Sequence, residues 1–201
     1  MTYIAIGALG FTAIHLCDLA ALKKVPRVKP IGWGVGSGLL ICSLILISLS
    51  PDKLTLPTWL TWLGWGTLGV SAPLLVHSLF ISLPFRKTYV TTGVGDKLVT
   101  SGLYALIRHP GVIWFTLLML SLVPVTKSSL FLVATPVFIA LDFVLVIVQD
   151  KFIFGRMFDG YDRYRQETPM LIPNKKSVSA FLRSMRQTHL NNDLKEVDQY
   201  E

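Results

Sequence analysis

Charge is what this chain has least of. Acidic and basic residues make up 15% of its 201 residues, where a water-soluble domain carries about a quarter. Acids are the scarcer sign, 12 against 19 Lys and Arg. Cysteine is nearly absent. Cys17 and Cys42 both sit inside apolar blocks, which excludes a disulfide scaffold and reads as two small hydrophobes. No His-x-x-x-His, Cys-x-x-Cys or acid/His cluster occurs, so no metal site is expected. Gly93-Val94-Gly95 lacks the third glycine and the strand–helix setting of a dinucleotide fold. No Gly-x-Ser-x-Gly elbow is present. The net charge of +7 is not accompanied by a basic cluster interleaved with aromatics, so nucleic acid is not the expected partner.

What the chain does have is apolar length. Hydrophobic residues are 52% of the total and the mean hydropathy is +0.55. They come in blocks rather than in a helical or strand period. Thr2 to Leu22, Ile31 to Ser50, Pro57 to Leu83, Val112 to Val125 and Ser128 to Val148 stand out. About 20 apolar residues cross the hydrocarbon. The fourth block is short, and with the fifth it reads as a tight hairpin through Thr126-Lys127. The expected fold is therefore all-α: a polytopic membrane protein of about five transmembrane helices, with a C-terminal helical hairpin and a cytoplasmic tail.

The cations order the connections. Lys23, Lys24, Arg27 and Lys29 follow the first block. Arg86, Lys87, Lys97 and Arg108 follow the third. Lys151, Arg156, Arg163 and Arg165 follow the fifth. The other two connections hold only Lys53 and Lys127. The positive-inside rule then puts the N-terminus outside and the three basic regions in the cytoplasm. The first block lacks a positive leading region and reads as a span, not a cleaved leader.

Three regions follow from these shifts: residues 1–84 with three spans, 85–173 with a loop, hairpin and charged helix, and 174–201 as a polar tail. In the second block, Gly32/Gly36 and Gly34/Gly38 have the spacing that lets helix backbones approach. Pro73 and Pro136 fall inside blocks and are expected to kink them. Thr91 to Asp96 reads as a loop. Leu103 to Ile107 reads as a short helix stopping before Pro110. Beyond Val148 a helix is expected to carry Phe154, Met157, Phe158, Tyr161 and Arg165 on one face, and Pro169 to Pro173 to end it. Val178, Phe181, Leu182 and Met185 make an apolar stripe suited to a helix lying on a membrane. Beyond Thr188 disorder is expected.

The segment Leu98 to Pro110 is polar and cationic between long apolar runs, and charge kept at such a place marks function. If the last two blocks form a hairpin, Arg108-His109-Pro110 lies beside Gln149-Asp150. Tyr104, Tyr161 and Tyr164 join them. Such a cluster suits a zwitterionic, partly aromatic small molecule, with Arg108 or His109 on a carboxylate and Asp150 on an ammonium or ribose hydroxyls. It equally suits simple anchoring at the membrane interface. His15 and Asp18, at i and i+3, read as a structural pair, and His77 as a structural residue. Asp142, deep in the fifth block, must face a partner, water or a cavity, or stay protonated.

The ordered set Leu-Val-Thr-Ser-Gly-x-Tyr-x-x-x-Arg-His-Pro, a hairpin, an acidic pair and a Tyr-x-x-Tyr…Pro…Pro tail resembles the isoprenylcysteine carboxyl methyltransferase family. That family is grouped with the phospholipid methyltransferases. The likeness covers roughly Phe85 to Pro173. It implies an integral membrane enzyme that takes S-adenosyl-L-methionine from the cytosol and methylates a lipophilic acceptor reached through the bilayer. Carried over, the cofactor would meet Asp96, Lys97, Leu98, Val99, Tyr104, His109, Pro110, Gly111, Val112, Gln149 and Asp150, with Arg108, His109 and Asp150 as the catalytic set. Membrane lipid and a lipophilic substrate are the implied partners. Proximity and desolvation would supply most of the rate.

The chain departs from the family at Val112 and Trp114, where the family has tyrosine and glycine, and at Gln149, where it has glutamate. The family's arginine one turn before the acidic pair falls here on Leu145-Val146. A prenylcysteine carboxylate is therefore not the expected acceptor. Two alternatives stay open: a relative without catalysis that binds lipid or serves assembly, and a membrane reductase of similar architecture using a nicotinamide cofactor.

Overall fold

The computed structural model describes residues 1–25, 27–84, 86–90 and 98–197. Among them the chain is helical, with no strand beyond one isolated bridge. The long helices are α1 (Thr2–Leu22), α2 (Val28–Ser48), α3 (Thr58–Val76), α5 (Pro110–Thr126), α6 (Phe131–Val148) and α9 (Lys175–Val197); α4 (Leu103–Leu106), α7 (Phe154–Met157) and α8 (Tyr161–Glu167) are short. Wider π-helical turns cover His77–Ile81, Arg86–Val90 and Gln149–Ile153. Four continuous runs are long and apolar enough to cross a membrane: Thr2–Leu22, Val28–Ser48, Thr58–Ile81 and Phe131–Met157. The fifth apolar helix, α5, has 17 residues, about 25 Å against a hydrocarbon of about 30 Å. The protein is thus an all-α polytopic membrane protein, and the apolar blocks predict its spans to within a few residues.

Two helix pairs carry the bundle: α1 against α2, and α3 against α5, with α6 beside α5 and α1. One of the two glycine pairs explains the first seam. A Cβ on Gly36 would lie 2.7 Å from the Gly10 carbonyl oxygen, and Gly32 backs onto Cys17, whereas Gly34 and Gly38 face open space. The backbones meet only because the first pair has no side chains. The apolar core draws on Phe11 and Ile14 of α1, Ile47 of α2, Phe115 and Met119 of α5, and Phe131 and Phe138 of α6, so it joins both sides of residue 84.

The bundle's ends differ in charge. Near one end lie the α1–α2 turn and the residues after Val148, since Ala21 packs with Ile153 and Met157. At the other, Lys127 takes the left-handed turn (φ 55°) that ends α5 and closes the tight hairpin to α6. Trp59, Trp62 and Trp65 are exposed at the start of α3, and nearby Gly64 sits under Pro124 and Val125. That ring matches the aromatic belt of a membrane–water boundary, a signal present in the sequence and not read there.

Two expectations are corrected. The helix after Val148 is not continuous: Phe158 is extended and Gly160 takes a left-handed conformation (φ 79°), so α7 and α8 are separate. Gly160 allows that turn because it has no Cβ. The break turns Arg165 outward while Tyr161 and Tyr164 stay buried. The tail is also helical beyond Thr188, to Val197. A reciprocal cap starts it, with Ser177 N–H donating to Asn174 Oδ1 (2.9 Å) and Asn174 N–H to Ser177 Oγ (3.0 Å). α9 packs on α4 and leaves Val178, Leu182 and Met185 exposed.

Candidate functional site

Pro110 opens α5, and its ring keeps the residue before it out of the helical region. His109 accordingly takes φ −127°. The freed N–H groups of Arg108 and His109 donate to the carbonyls of Pro169 (3.0 Å) and Met170 (3.2 Å). The tail after α8 is thereby stapled across the start of the hairpin.

That staple brings Arg108 to Asp150. Arg108 Nε donates to Oδ1 (2.8 Å) and Nη2 to Oδ2 (2.9 Å). His109 Nε2 lies 3.2 Å from Oδ1, and the Tyr161 hydroxyl donates to the same oxygen at 2.5 Å. Four side-chain contacts thus converge on this carboxylate, three at Oδ1 and one at Oδ2. Arg108 Nη1 turns the other way, to the carbonyls of Thr168 (2.5 Å) and Arg165 (3.0 Å) at the end of α8. Burial disfavours the Arg108 charge, the Asp150 carboxylate favours it, and the balance raises the guanidinium above its ordinary range. Burial first, and the bond to Asp150 second, push the Tyr161 phenol up, so its hydroxyl stays a donor. His109 also stacks on Phe154, ring centres 5.8 Å apart.

A second tyrosine set fixes the wall beside this clasp. The last carbonyls of a helix lack intrahelical partners. At the π-helical turn after α3, the Tyr104 hydroxyl donates to the Ser78 carbonyl (2.9 Å) and the Tyr89 hydroxyl to that of Leu79 (2.7 Å). The Tyr164 hydroxyl donates to the Tyr104 carbonyl (2.6 Å). Burial raises all three phenols above their ordinary range.

These groups line one end of a cavity of about 470 Å³ between the α1–α2 pair and the α3–α5 pair. Its polar end holds Asp18, Lys29, Tyr104, His109 and Gln149; its other walls are apolar, from residues such as Leu40, Leu75, Phe115 and Leu145. All three π-helical turns contribute to it, through Leu79, Tyr89 and Gln149. Ile41 and Phe80, both partly exposed, line the cavity from two of the spanning helices, so its apolar walls lie at the level of those helices.

Of the residues read from sequence, Leu98, Val99, Tyr104, Arg108, His109, Pro110, Gly111, Val112 and Gln149 all line this cavity. Asp96 and Lys97 lie outside the described residues, as does the loop from Thr91. Asp150 stands behind the wall, within the clasp. Asp18 is what sequence reasoning missed. It does not turn to His15; its Oδ2 accepts from Gln149 Nε2 at 2.6 Å, across 131 residues of chain. The available signal was an acid in the first span matched by an amide at the end of the last.

S-adenosyl-L-methionine has a planar base, ribose hydroxyls, an ammonium and a carboxylate. The polar end offers aromatic faces at Tyr104 and His109, an amide at Gln149, a carboxylate at Asp18 and an ammonium at Lys29. This donor set fits such a molecule, with Asp18 facing the cavity in the place expected of Asp150. Comparison of the chain with family models, curated proteins and solved structures returns no match.

Proposed function

We propose that this protein is an integral membrane methyltransferase that moves a methyl group from S-adenosyl-L-methionine to a lipophilic acceptor. One observation carries the reading: a single cavity joins a polar end, built around His109 and Gln149, to apolar walls at the level of the spanning helices. A cytosolic cofactor and a membrane-dissolved acceptor need such a meeting place. The resemblance of the Arg-His-Pro segment, hairpin and Gln149-Asp150 pair to the methyltransferase family supports it. The basic end, with Arg108, Arg156 and Arg165, is then the cytoplasmic end, the N-terminus lies outside, and the C-terminal tail is cytoplasmic.

The bound cofactor would supply an electrophilic methyl on sulfonium, displaced in line with the thioether leaving. The chain's part is binding, orientation and exclusion of water. Tyr104 and His109 would flank the base or sugar, and Asp18, Lys29 and Gln149 would meet its polar groups. Arg108, Asp150 and Tyr161 are positioning residues that hold the His109 ring. The apolar walls keep water from the methyl and admit the acceptor.

The test is calorimetric titration of the purified chain in detergent, followed by transfer of labelled methyl into a total lipid extract. Saturable binding, at least about tenfold weaker in His109→Ala, with label in the lipid fraction, is expected. Absence of saturable binding overturns the reading. Binding without label would make the protein a lipid-binding relative without turnover, and binding of NADPH instead would make it a reductase.

A further inference from the structure

Asp142 is the group in the cavity that nothing above employs. It lies on α6, seven residues before Gln149, and lines the cavity among apolar side chains such as Leu118 and Leu145. One oxygen, Oδ2, is sealed without a hydrogen-bond partner among the described residues, so only Oδ1 can meet an occupant of the cavity. Buried polar atoms are nearly always bonded, and an orphan calls for a partner. A carboxyl oxygen left unmet in an apolar wall is unfavourable, because nothing replaces the hydrogen bonds it made to water. Asp150, two turns further along the same run of helix, shows the opposite condition, with contacts from Arg108, His109 and Tyr161.

The position is as informative as the vacancy in bonding. At about 1.5 Å per residue, Asp142 stands about 10 Å along the helix from Gln149. A simple lipid tail has nothing to offer there. A molecule with a polar group at the His109–Gln149 end and a hydrogen-bond donor near 10 Å from it does. We propose that Asp142 is a specificity-determining residue that binds a hydroxyl or amine donor carried by the cavity's lipophilic occupant, which is thus a bipolar amphiphile rather than a plain hydrocarbon chain. The inference rests on the part of the proposed function that puts a lipophilic molecule in this cavity, and does not require methyl transfer.

The full chain in detergent would be titrated with decanol, decanediol and aminodecanol, reading the fluorescence of Trp33, which lines the cavity. The two compounds with a second donor are expected to bind about tenfold more tightly than decanol. In Asp142→Leu that preference falls to within about twofold, while decanol binds at least as well as before. Asp142→Asn keeps the preference for decanediol and loses any extra advantage of the ammonium, which separates a hydroxyl from a cation as the donor. If Asp142→Leu does not fold, Asp142→Ala is read in its place, and an unchanged preference for decanediol over decanol in it overturns the proposal. An unchanged preference for decanediol over decanol in a folded Asp142→Leu overturns it equally. Asp142-dependent binding in a protein that transfers no methyl would sink the methyltransferase reading and leave this one standing.

Discussion

Both ends of the bundle are tied by a cation that caps helix C-termini, yet the two ties differ in kind. At one end Lys53 Nζ donates to the carbonyls of Ser48 (2.8 Å) and Thr126 (3.2 Å), the last residues of α2 and α5. At the other, Arg108 Nη1 donates to the carbonyls of Arg165 and Thr168 at the end of α8. Both answer the partial negative charge of a helix end. Lys53 is exposed and lies next to backbone bonds that join the same loops, Leu54 N–H to Lys127 O (2.6 Å) and Ser129 N–H to Asp52 O (3.0 Å). The side chains of Arg108 and Asp150 are nearly sealed, at 8% and 7% exposed, and pair bidentately. The difference follows the cavity. Where helices spread around a hollow, short loops cannot close the end, and long-range side-chain bonds do so instead.

Arg108→Ala breaks this comparison most strongly. It strips two donors from Asp150 and leaves a carboxylate buried without its counter-charge, and it uncaps α8. Removing one partner of such a pair costs about 3–5 kcal/mol, read as a large fall in the thermal unfolding midpoint in detergent. A fall no larger than that of an exposed lysine would mean that water reaches Asp150 and that the two ends are alike.

Tyr161→Phe sharpens the same point with a smaller expected effect, about 1–3 kcal/mol. The ring stays packed against Phe154, and only one of four bonds to Asp150 is lost. A double-mutant cycle with Arg108→Lys measures whether the two donors act through the same carboxylate. Independent, additive losses would contradict the shared-oxygen geometry.

The sequence made part of this legible. Hydrophobic blocks located the four helices long enough to span, and the shorter α5, because lipid demands unbroken apolar length. The meeting of Arg108, His109 and Asp150 followed from pairing the last two blocks. The bond from Tyr161 to Asp150 did not follow, because it needs Tyr161 to swing in after the Phe158–Gly160 break, and that break depends on a conformation only glycine adopts cheaply. The Asp18–Gln149 bond was equally hidden, since no local period relates residues 131 positions apart. The helix spacing that placed Phe158 and Tyr161 on one continuous face was outweighed by tertiary bonds from α8 to Arg108.

Lys53→Ala tests the weaker tie and carries the smallest effect. The ammonium caps two helix ends, but water and salt reach it, and an exposed cation at a helix C-terminus contributes about 0.3–1 kcal/mol. The backbone bonds between Asp52, Leu54, Lys127 and Ser129 need no side chain and survive the change. The unfolding midpoint should therefore fall slightly at low salt, and the difference from wild type should vanish near 1 M salt, where the screening length is about 3 Å. Arg108→Ala should keep its full cost across the same range, because ions do not enter the clasp. Equal salt sensitivity of the two variants would show that burial does not distinguish the two ends.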